Sequence, residues 1–291
     1  MDRRSVDEVL TRYTLEPSLF DVYVEGSHDR RLIDWVLSRS ATSRSVSVYE
    51  IDTVDVPSSL LERMALTSSN RNRVIALARV LTEEFPERAL RVTCIADSDF
   101  DLLLGRRRSC DYLAYSDYSS MDLYGWTEAT VAKIIQVGLG LDESLAEPIY
   151  SSVNAAAAKL FAIRGANESL SWNMKWISPK RCCSVSQGGI ALDCDEFIRR
   201  YLTNNSAIGR ETIFQETYSG LLDSMVLDPK HYVRGHDIEE LLAVCLGRLL
   251  RGSSRRIVAG PAMRALLRTS LEYSDLQDEP LFRHLLGGSG S

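Results

Sequence analysis

The feature of the sequence that most constrains its fold is the alternation of strand-like and helix-like segments near the start. Short apolar runs at 20–24, 45–51, 90–96 and 111–115 predict strands. Between the first three runs, apolar residues recur every three to four positions, which predicts helices. Strand, helix, strand order favours a mainly parallel sheet that is flanked by helices on both faces. The fold class that we predict is therefore α/β.

Individual residues predict where some elements begin and end. Ser27 is expected to cap the helix after the first strand, and Gly26 is expected to let the chain turn sharply before it. Pro86 helps to end the helix that precedes the third strand. Pro261 suits the first turn of a last long helix.

The later part of the chain is mostly helical by its periodicity. Thr127 is expected to cap one helix, and 171–192 is ambiguous, with a short hairpin as one interpretation. Ile213, Thr217 and Leu221 are expected to form the apolar face of another helix. The domains that we predict are a core over 1–125, a mostly helical extension over 126–286 that adds to or completes the core, and a linker, Gly-Gly-Ser-Gly-Ser, over 287–291.

Composition narrows the class of protein. The chain has 291 residues, of which 45% are hydrophobic and 25% charged, so it can bury an ordinary globular core. No apolar run approaches the ~18 residues of a membrane span, and the six cysteines form no CxxC pair. A net charge of −6 argues against a protein that coats nucleic acid over its whole surface, but it allows a local basic channel. We therefore expect a reduced, cytoplasmic protein without a membrane segment.

Acidic residues cluster where two of the predicted strands end. Asp97, Asp99 and Asp101 follow the third strand, and Glu25 follows the first. In an extended chain alternate side chains share one face, so Asp97 and Asp99 are expected to point the same way, and Asp101 joins them only if the chain stays extended. Like charges repel and resist leaving water, so such a cluster needs a cation. If the two strands are neighbours, the acids form a site for Mg²⁺ or Mn²⁺, which prefer oxygen ligands and can activate water beside a phosphate.

Two motifs resemble the Toprim domain, namely YVEGSHD at 23–29 and IADSDFD at 95–101. Together with VRGHDIEELL at 233–242, they look like a Toprim-like family of bacterial phage-defence proteins related to the overcoming-lysogenization-defect nucleases. The resemblance covers 20–120 well and the remainder loosely. It implies a Toprim-like (Rossmann-like) sheet and a metal-dependent endonuclease. It also implies a toxic effector that cleaves RNA, above all transfer RNA, under the control of an ABC-type ATPase partner.

The resemblance also implies roles for single residues. Glu25 would be the acid/base or second-metal residue, and Asp97 and Asp99 would be metal ligands. Asp29 matches an acid that some Toprim nucleases carry, but it equally suits the positive end of its helix. The family tends to carry a further glutamate after its Asp-x-Asp motif, and Asp122 lies near that position in this sequence. The side chain of aspartate is shorter than that of glutamate, which puts direct binding of the metal by Asp122 in doubt. The predicted metal ligands are Glu25, Asp97, Asp99 and Asp101, although Asp101 is an extra acid without a family counterpart and better suits the start of a turn.

Basic residues near the acids suggest contacts with a polyanion. Arg106, Arg107 and Arg108 are predicted to bind the backbone of a nucleic acid, although a solvated loop is the usual explanation for such a run. His28 either contacts phosphate or occupies an exposed first turn. His236 either takes part in catalysis or simply begins a helix.

Other functions stay open at this point. The same fold could act on DNA, or transfer strands or nucleotides without hydrolysis. The acids could instead be vestigial in a binding module that docks to an ATPase. The sequence contains no Walker motif, so ATP hydrolysis would need a partner. The oligomeric state is also open, a homodimer included.

Overall fold

A computed structural model of the chain describes residues 3–40, 45–186, 189–250, 258 and 261–287. The chain divides into two compact units. The first unit comprises Met1–Ser98, Arg107–Asp117 and Glu272–Ser291, and the second comprises Asp99–Arg106 and Tyr118–Leu271. This division differs from the predicted boundary at 125, because segments from both sides of that boundary contribute to each unit. Of the predicted linker, 288–291 lie outside the described residues.

The strands are β1 (Arg4–Ser5), β2 (Phe20–Val24), β3 (Val46–Glu50), β4 (Val54–Asp55), β5 (Arg91–Ala96), β6 (Leu113–Tyr115), β7 (Cys183–Ser186) and β8 (Gly189–Leu192). The helices are α1 (Val6–Leu15), α2 (Ser27–Arg39), α3 (Ser58–Arg63), α4 (Asn70–Glu84), α5 (Glu128–Lys133), α6 (Ala146–Ser169), α7 (Cys194–Asn204), α8 (Glu211–Asp223), α9 (Gly235–Leu249), α10 (Pro261–Thr269), α11 (Tyr273–Leu276) and α12 (Pro280–Leu285).

The main sheet of the first unit confirms the prediction of an α/β fold with parallel strands. In the described part of the chain its order is β3-β2-β5-β6, and each neighbouring pair is parallel. Strand β2 lies between β3 and β5, with Tyr23 opposite both Tyr49 and Cys94. Because parallel strands of one sheet end at the same edge, the segments that follow β2 and β5 lie side by side.

Burial on both faces explains why β2 is a continuous apolar run. Val22, Tyr23 and Val24 are at most 1% exposed, as expected for a parallel strand that is covered by helices. Helix α4 packs against β5 and contributes a buried face. That face consists of Val74, Ile75, Ala76, Leu77, Ala78 and Leu81.

The second unit is mostly helical, as predicted, and α6 packs against α5, α8, α9 and β8. Strands β7 and β8 form the short antiparallel hairpin allowed by the sequence. Thr127 caps α5, because its side chain accepts a hydrogen bond from the Thr130 N–H. The predicted apolar face of α8 is wrong: Phe214 and Tyr218 are buried, whereas Ile213 is 52% exposed. The aromatic side chains bury more apolar area, so they decide which face turns inward.

Pro261 begins α10, as predicted, but α10 ends at Thr269 and two further short helices follow it. None of the helices in the described ranges is long and apolar enough to cross a membrane.

Candidate functional site

Glu25 and Asp97 meet at the carboxyl edge of the main sheet. Glu25 directly follows β2, and Asp97 directly follows the neighbouring strand β5. The Oε1 atom of Glu25 accepts a hydrogen bond from the backbone N–H of Asp97, with 2.8 Å between the two atoms. Both residues are half-buried. A hydrogen bond of this kind stabilises the ionised carboxylate and fixes its orientation.

The first turn of α4 holds the main chain of both acids. Asn70 donates from Nδ2 to the carbonyl oxygen of Glu25 at 2.9 Å, and Arg71 donates from Nε to the carbonyl oxygen of Asp97 at 2.8 Å. Neither residue was predicted from the sequence as part of the site. A signal was present, because the helix that leads into a parallel strand begins at the carboxyl edge of the sheet, where polar side chains of its first turn can reach the site.

The chain does not stay extended beyond Asp97. Asp99 has a φ of +42°, which is left-handed backbone, and a turn follows in which the Arg106 N–H donates to the Asp101 carbonyl oxygen at 2.8 Å. The expectation that Asp97 and Asp99 share one face of an extended segment is therefore wrong. Asp101 was expected to join them only if the chain stayed extended, and it does not. Aspartate tolerates this backbone conformation, and the Asp99 N–H is tied to the Ser119 carbonyl oxygen at 2.8 Å.

The donor set decides which metal the site could hold. Among the described residues, no group of three or more His, Cys, Asp or Glu side chains is arranged to hold a metal ion. The four predicted ligands therefore do not form one such group in the described ranges, and the contact that the structure shows between two of them is the bond from the Asp97 N–H to the Glu25 carboxylate. Mg²⁺ usually takes one or two protein carboxylates and completes its shell with waters and substrate phosphates. An acid pair fits that cation, whereas it does not fit an all-protein cage.

The start of α2 differs in detail from the prediction. Gly26, not Ser27, is the N-cap residue, and Ser27 is the first residue of the helix. The chain bends at 25–26 as predicted, but the φ of Gly26 is −161°, an extended conformation that any residue adopts, so the bend does not require a glycine. Helix caps accept glycine, which lets the helix begin one residue earlier than a serine cap at position 27 would place it. His28 and Asp29 are half-buried in the first turn, where the helix dipole favours an acid.

The arginine run divides among three environments. Arg106 forms an exposed ion pair with Glu168 at 3.3 Å, which contributes little stability. Arg107 donates from Nη2 to Oγ of Ser98 at 2.7 Å, directly beside Asp97. The backbone N–H of Arg108 donates to the hydroxyl of a nearby tyrosine at 3.3 Å. Arg107 is therefore the member of the run whose side chain contacts the segment that carries a candidate acid.

Asp122 and His236 both lie in the second unit. Asp122 forms an ion pair with Arg268 of α10, with 3.0 Å between Oδ1 and Nη2. A Cβ atom on Gly235 would come within 2.7 Å of the Asp122 Cβ, so this aspartate is tightly packed against the start of α9. His236 is the exposed second residue of α9.

Comparison with known proteins adds no family to these observations. No protein-family model matches the chain, and no curated protein sequence matches it either. The resemblance of the two acidic motifs to the Toprim-like family therefore stays a prediction. The fold and the site define an α/β protein in which, at the carboxyl edge of a parallel sheet, the Asp97 main chain donates a hydrogen bond to the Glu25 carboxylate.

Proposed function

We propose that the protein is a Mg²⁺- or Mn²⁺-dependent endonuclease that hydrolyses phosphodiester bonds. The observation that carries the proposal is the 2.8 Å hydrogen bond between the Asp97 N–H and the Glu25 carboxylate, where two neighbouring parallel strands end. Ligands of open α/β sheets bind at this edge. Carboxylates gathered at such an edge are suited to a divalent cation and a phosphate.

Glu25 and Asp97 would hold the cation, because carboxylate oxygens are the ligands that Mg²⁺ and Mn²⁺ prefer. A cation bound there supplies an acidified water and neutralises charge on the phosphate that is cleaved. The Asp97 N–H fixes the Glu25 carboxylate in advance of binding, and Asn70 and Arg71 fix the main chain of both acids. Groups that are held in place before the reaction need not reorganise during it.

The substrate and setting in this proposal come from the resemblance of the 23–29 and 95–101 motifs. RNA, above all transfer RNA, is the favoured substrate, with DNA as the alternative. The biological role would be that of a phage-defence effector, toxic to the cell once an ABC-type ATPase partner no longer restrains it.

Cleavage assays test the proposal. Purified protein is incubated with transfer RNA and with single- and double-stranded DNA, in Mg²⁺, Mn²⁺ or a chelator, beside the Glu25→Ala and Asp97→Ala variants. Cleavage of RNA that requires the metal and is lost in both variants is the expected result. Equal activity in the wild type and both variants would remove Glu25 and Asp97 from the site.

A second candidate function is an inert binding module that docks to an ATPase. It is favoured by one observation, that the neighbouring apolar residues Val226 and Leu227 of the second unit are 81% and 51% exposed, as residues of a docking surface would be. In that case no nucleic acid would be cleaved under any metal condition, and Glu25→Ala would leave binding to the ATPase unchanged.

A further inference from the structure

We propose that Arg71, Tyr115 and Arg107 form a phosphate-binding element beside the Glu25–Asp97 pair, and that it takes a backbone phosphate next to the one that is cleaved. The inference rests on the proposed function and deepens it, because it names the part of the substrate that this edge of the sheet binds.

The three residues come from separate segments of the first unit. Arg71 is in the first turn of α4, Tyr115 ends β6, and Arg107 lies in the connection between β5 and β6. The guanidinium carbons of Arg71 and Arg107 lie 5.9 Å and 5.4 Å from the centroid of the Tyr115 ring. Both distances are within the range of a cation–π contact. One aromatic ring therefore gathers two cations at the end of the sheet where the acids lie.

Both guanidinium groups also contact the segment that follows β5. Arg71 donates to the carbonyl oxygen of Asp97 at 2.8 Å, and Arg107 donates to Oγ of Ser98 at 2.7 Å. Ser98 is 1% exposed, and its Oγ donates to the Ser116 carbonyl oxygen at 2.8 Å, so the anchor of Arg107 is itself buried and fixed. Arg71 is thus attached to the candidate acid Asp97, and Arg107 is attached to the residue that follows it.

The loop that carries Arg107 is held at a second point. The Arg108 N–H donates to the Tyr115 hydroxyl at 3.3 Å, while the ring of the same tyrosine contacts the Arg107 guanidinium. A loop that is attached at its main chain and at one side chain differs from a freely solvated arginine run. Arg107 is therefore preorganised, which lowers the entropy that binding would cost.

Phosphate is the ligand that this chemistry favours. A guanidinium offers five N–H donors in a planar fork that matches phosphate oxygens, and the bond to Ser98 uses a single donor of Arg107. The chain has a net charge of −6, so a polyanion that approaches the acids needs local cations to offset the repulsion.

Binding without cleavage tests the element. A short fluorescein-labelled single-stranded RNA is titrated with the wild type, Arg107→Ala and the control Arg63→Ala in Ca²⁺ at several KCl concentrations, and fluorescence anisotropy gives Kd. Arg63 is an exposed arginine at the end of α3, so its removal changes net charge by the same amount. Arg107→Ala is expected to raise Kd about tenfold and to reduce the slope of log Kd against log salt by about 0.7, the value for a single contact with a single-stranded phosphate. Arg63→Ala is expected to leave both unchanged, and a matched DNA strand is expected to give the same pattern.

The outcomes separate this inference from the proposed function. If the wild type binds but Arg107→Ala matches Arg63→Ala in Kd and slope, the phosphate-binding element is wrong and the proposed nuclease is untouched. If the wild type binds neither RNA nor DNA, both fail. Should circular dichroism show that Arg107→Ala is unfolded, Arg107→Lys replaces it: we expect an unchanged slope and a Kd raised several-fold, because lysine keeps the charge and lacks the fork. A wild-type Kd in Arg107→Lys would then overturn the inference.

Discussion

The backbone N–H of Asp97 donates to the Glu25 carboxylate over 2.8 Å, although 72 positions separate the two residues in the sequence. The contact exists because β2 and β5 are parallel neighbours that end at one edge of the sheet. The first turn of α4 then holds the main chain of both residues. The candidate site therefore depends on two features, the neighbouring positions of β2 and β5 and the first turn of α4. Each feature can be perturbed separately.

Asn70→Ala tests the helix contribution. Its side chain donates to the Glu25 carbonyl oxygen at 2.9 Å, so removing it leaves that oxygen without this donor. We expect the free energy of unfolding to fall by about 1 kcal/mol. The Mn²⁺ concentration for half-maximal cleavage is expected to rise about tenfold, because groups that orient a metal ligand affect metal affinity by that order.

Asn72→Ala is the matched control in the same helix turn. The Asn72 side chain donates to the carbonyl oxygen and Oγ1 of Thr67, at 2.9 Å and 2.8 Å, and these bonds do not involve either acid. Its loss is expected to destabilise the protein by a similar amount without changing the Mn²⁺ requirement. An equal shift of that requirement in both variants would show that the effect of Asn70 is not specific to Glu25.

Substitution of Asp21 tests how much its buried ion pair with Arg12 contributes to stability. It is 1% exposed, and the Arg12 Nη1 atom and the Tyr13 hydroxyl each lie 2.8 Å from its Oδ2. Asp21→Ala leaves a partly buried cation uncompensated, so we expect urea denaturation to show a loss of about 3 kcal/mol. Tyr13→Phe removes no charge, only the two hydrogen bonds of the Tyr13 hydroxyl with Asp21 and Tyr23, and is expected to cost about 2 kcal/mol. Comparable losses in the two variants would argue against the ion pair as the larger contribution.

The buried tyrosines make stability fall in alkali. Burial raises the pKa of Tyr23 to about 12, and burial likewise raises the pKa of Tyr13. An unfolded tyrosine ionises near pH 10, so above about pH 10 the unfolded state has lost protons that the folded state retains. The free energy of unfolding is therefore expected to decrease from about pH 10 to about pH 12. Urea midpoints across this range should fall less steeply in Tyr23→Phe, and parallel curves for the two proteins would contradict the assignment.

Much of the sheet could be predicted from the sequence because its two central strands, β2 and β5, are buried on both faces. The runs around Tyr23 and Cys94 are apolar enough to stand out from their neighbours, and Glu25 and Asp97 follow directly from where those runs end. Strands β1 and β4 have two residues each, which is too short to show any period. The neighbour relation of β2 and β5 was needed for the site and was only an assumption until the sheet order was known.

What the sequence did not show depends on contacts between distant segments. The left-handed turn at Asp99 is tied to Ser119, and no local pattern announces that bond. The order of helix and strand indicates that the first turn of α4 lies at this edge, but only the fold shows that Asn70 and Arg71 bind the main chain of the two acids. The inward face of α8 was likewise decided by packing around Phe214 and not by aliphatic spacing.

The most direct test of the account compares initial rates of RNA cleavage in Mn²⁺ for the wild type, Glu25→Gln and Glu84→Gln. Glutamine can still accept the Asp97 N–H through its Oε1 but carries no charge, so the fold is kept while the cation loses a ligand. Glu84 is an exposed glutamate at the end of α4 and serves as the matched control. The account predicts a rate lowered about 100-fold or more in Glu25→Gln and unchanged in Glu84→Gln. A folded Glu25→Gln protein that cleaves RNA at the wild-type rate with the same Mn²⁺ dependence would contradict it.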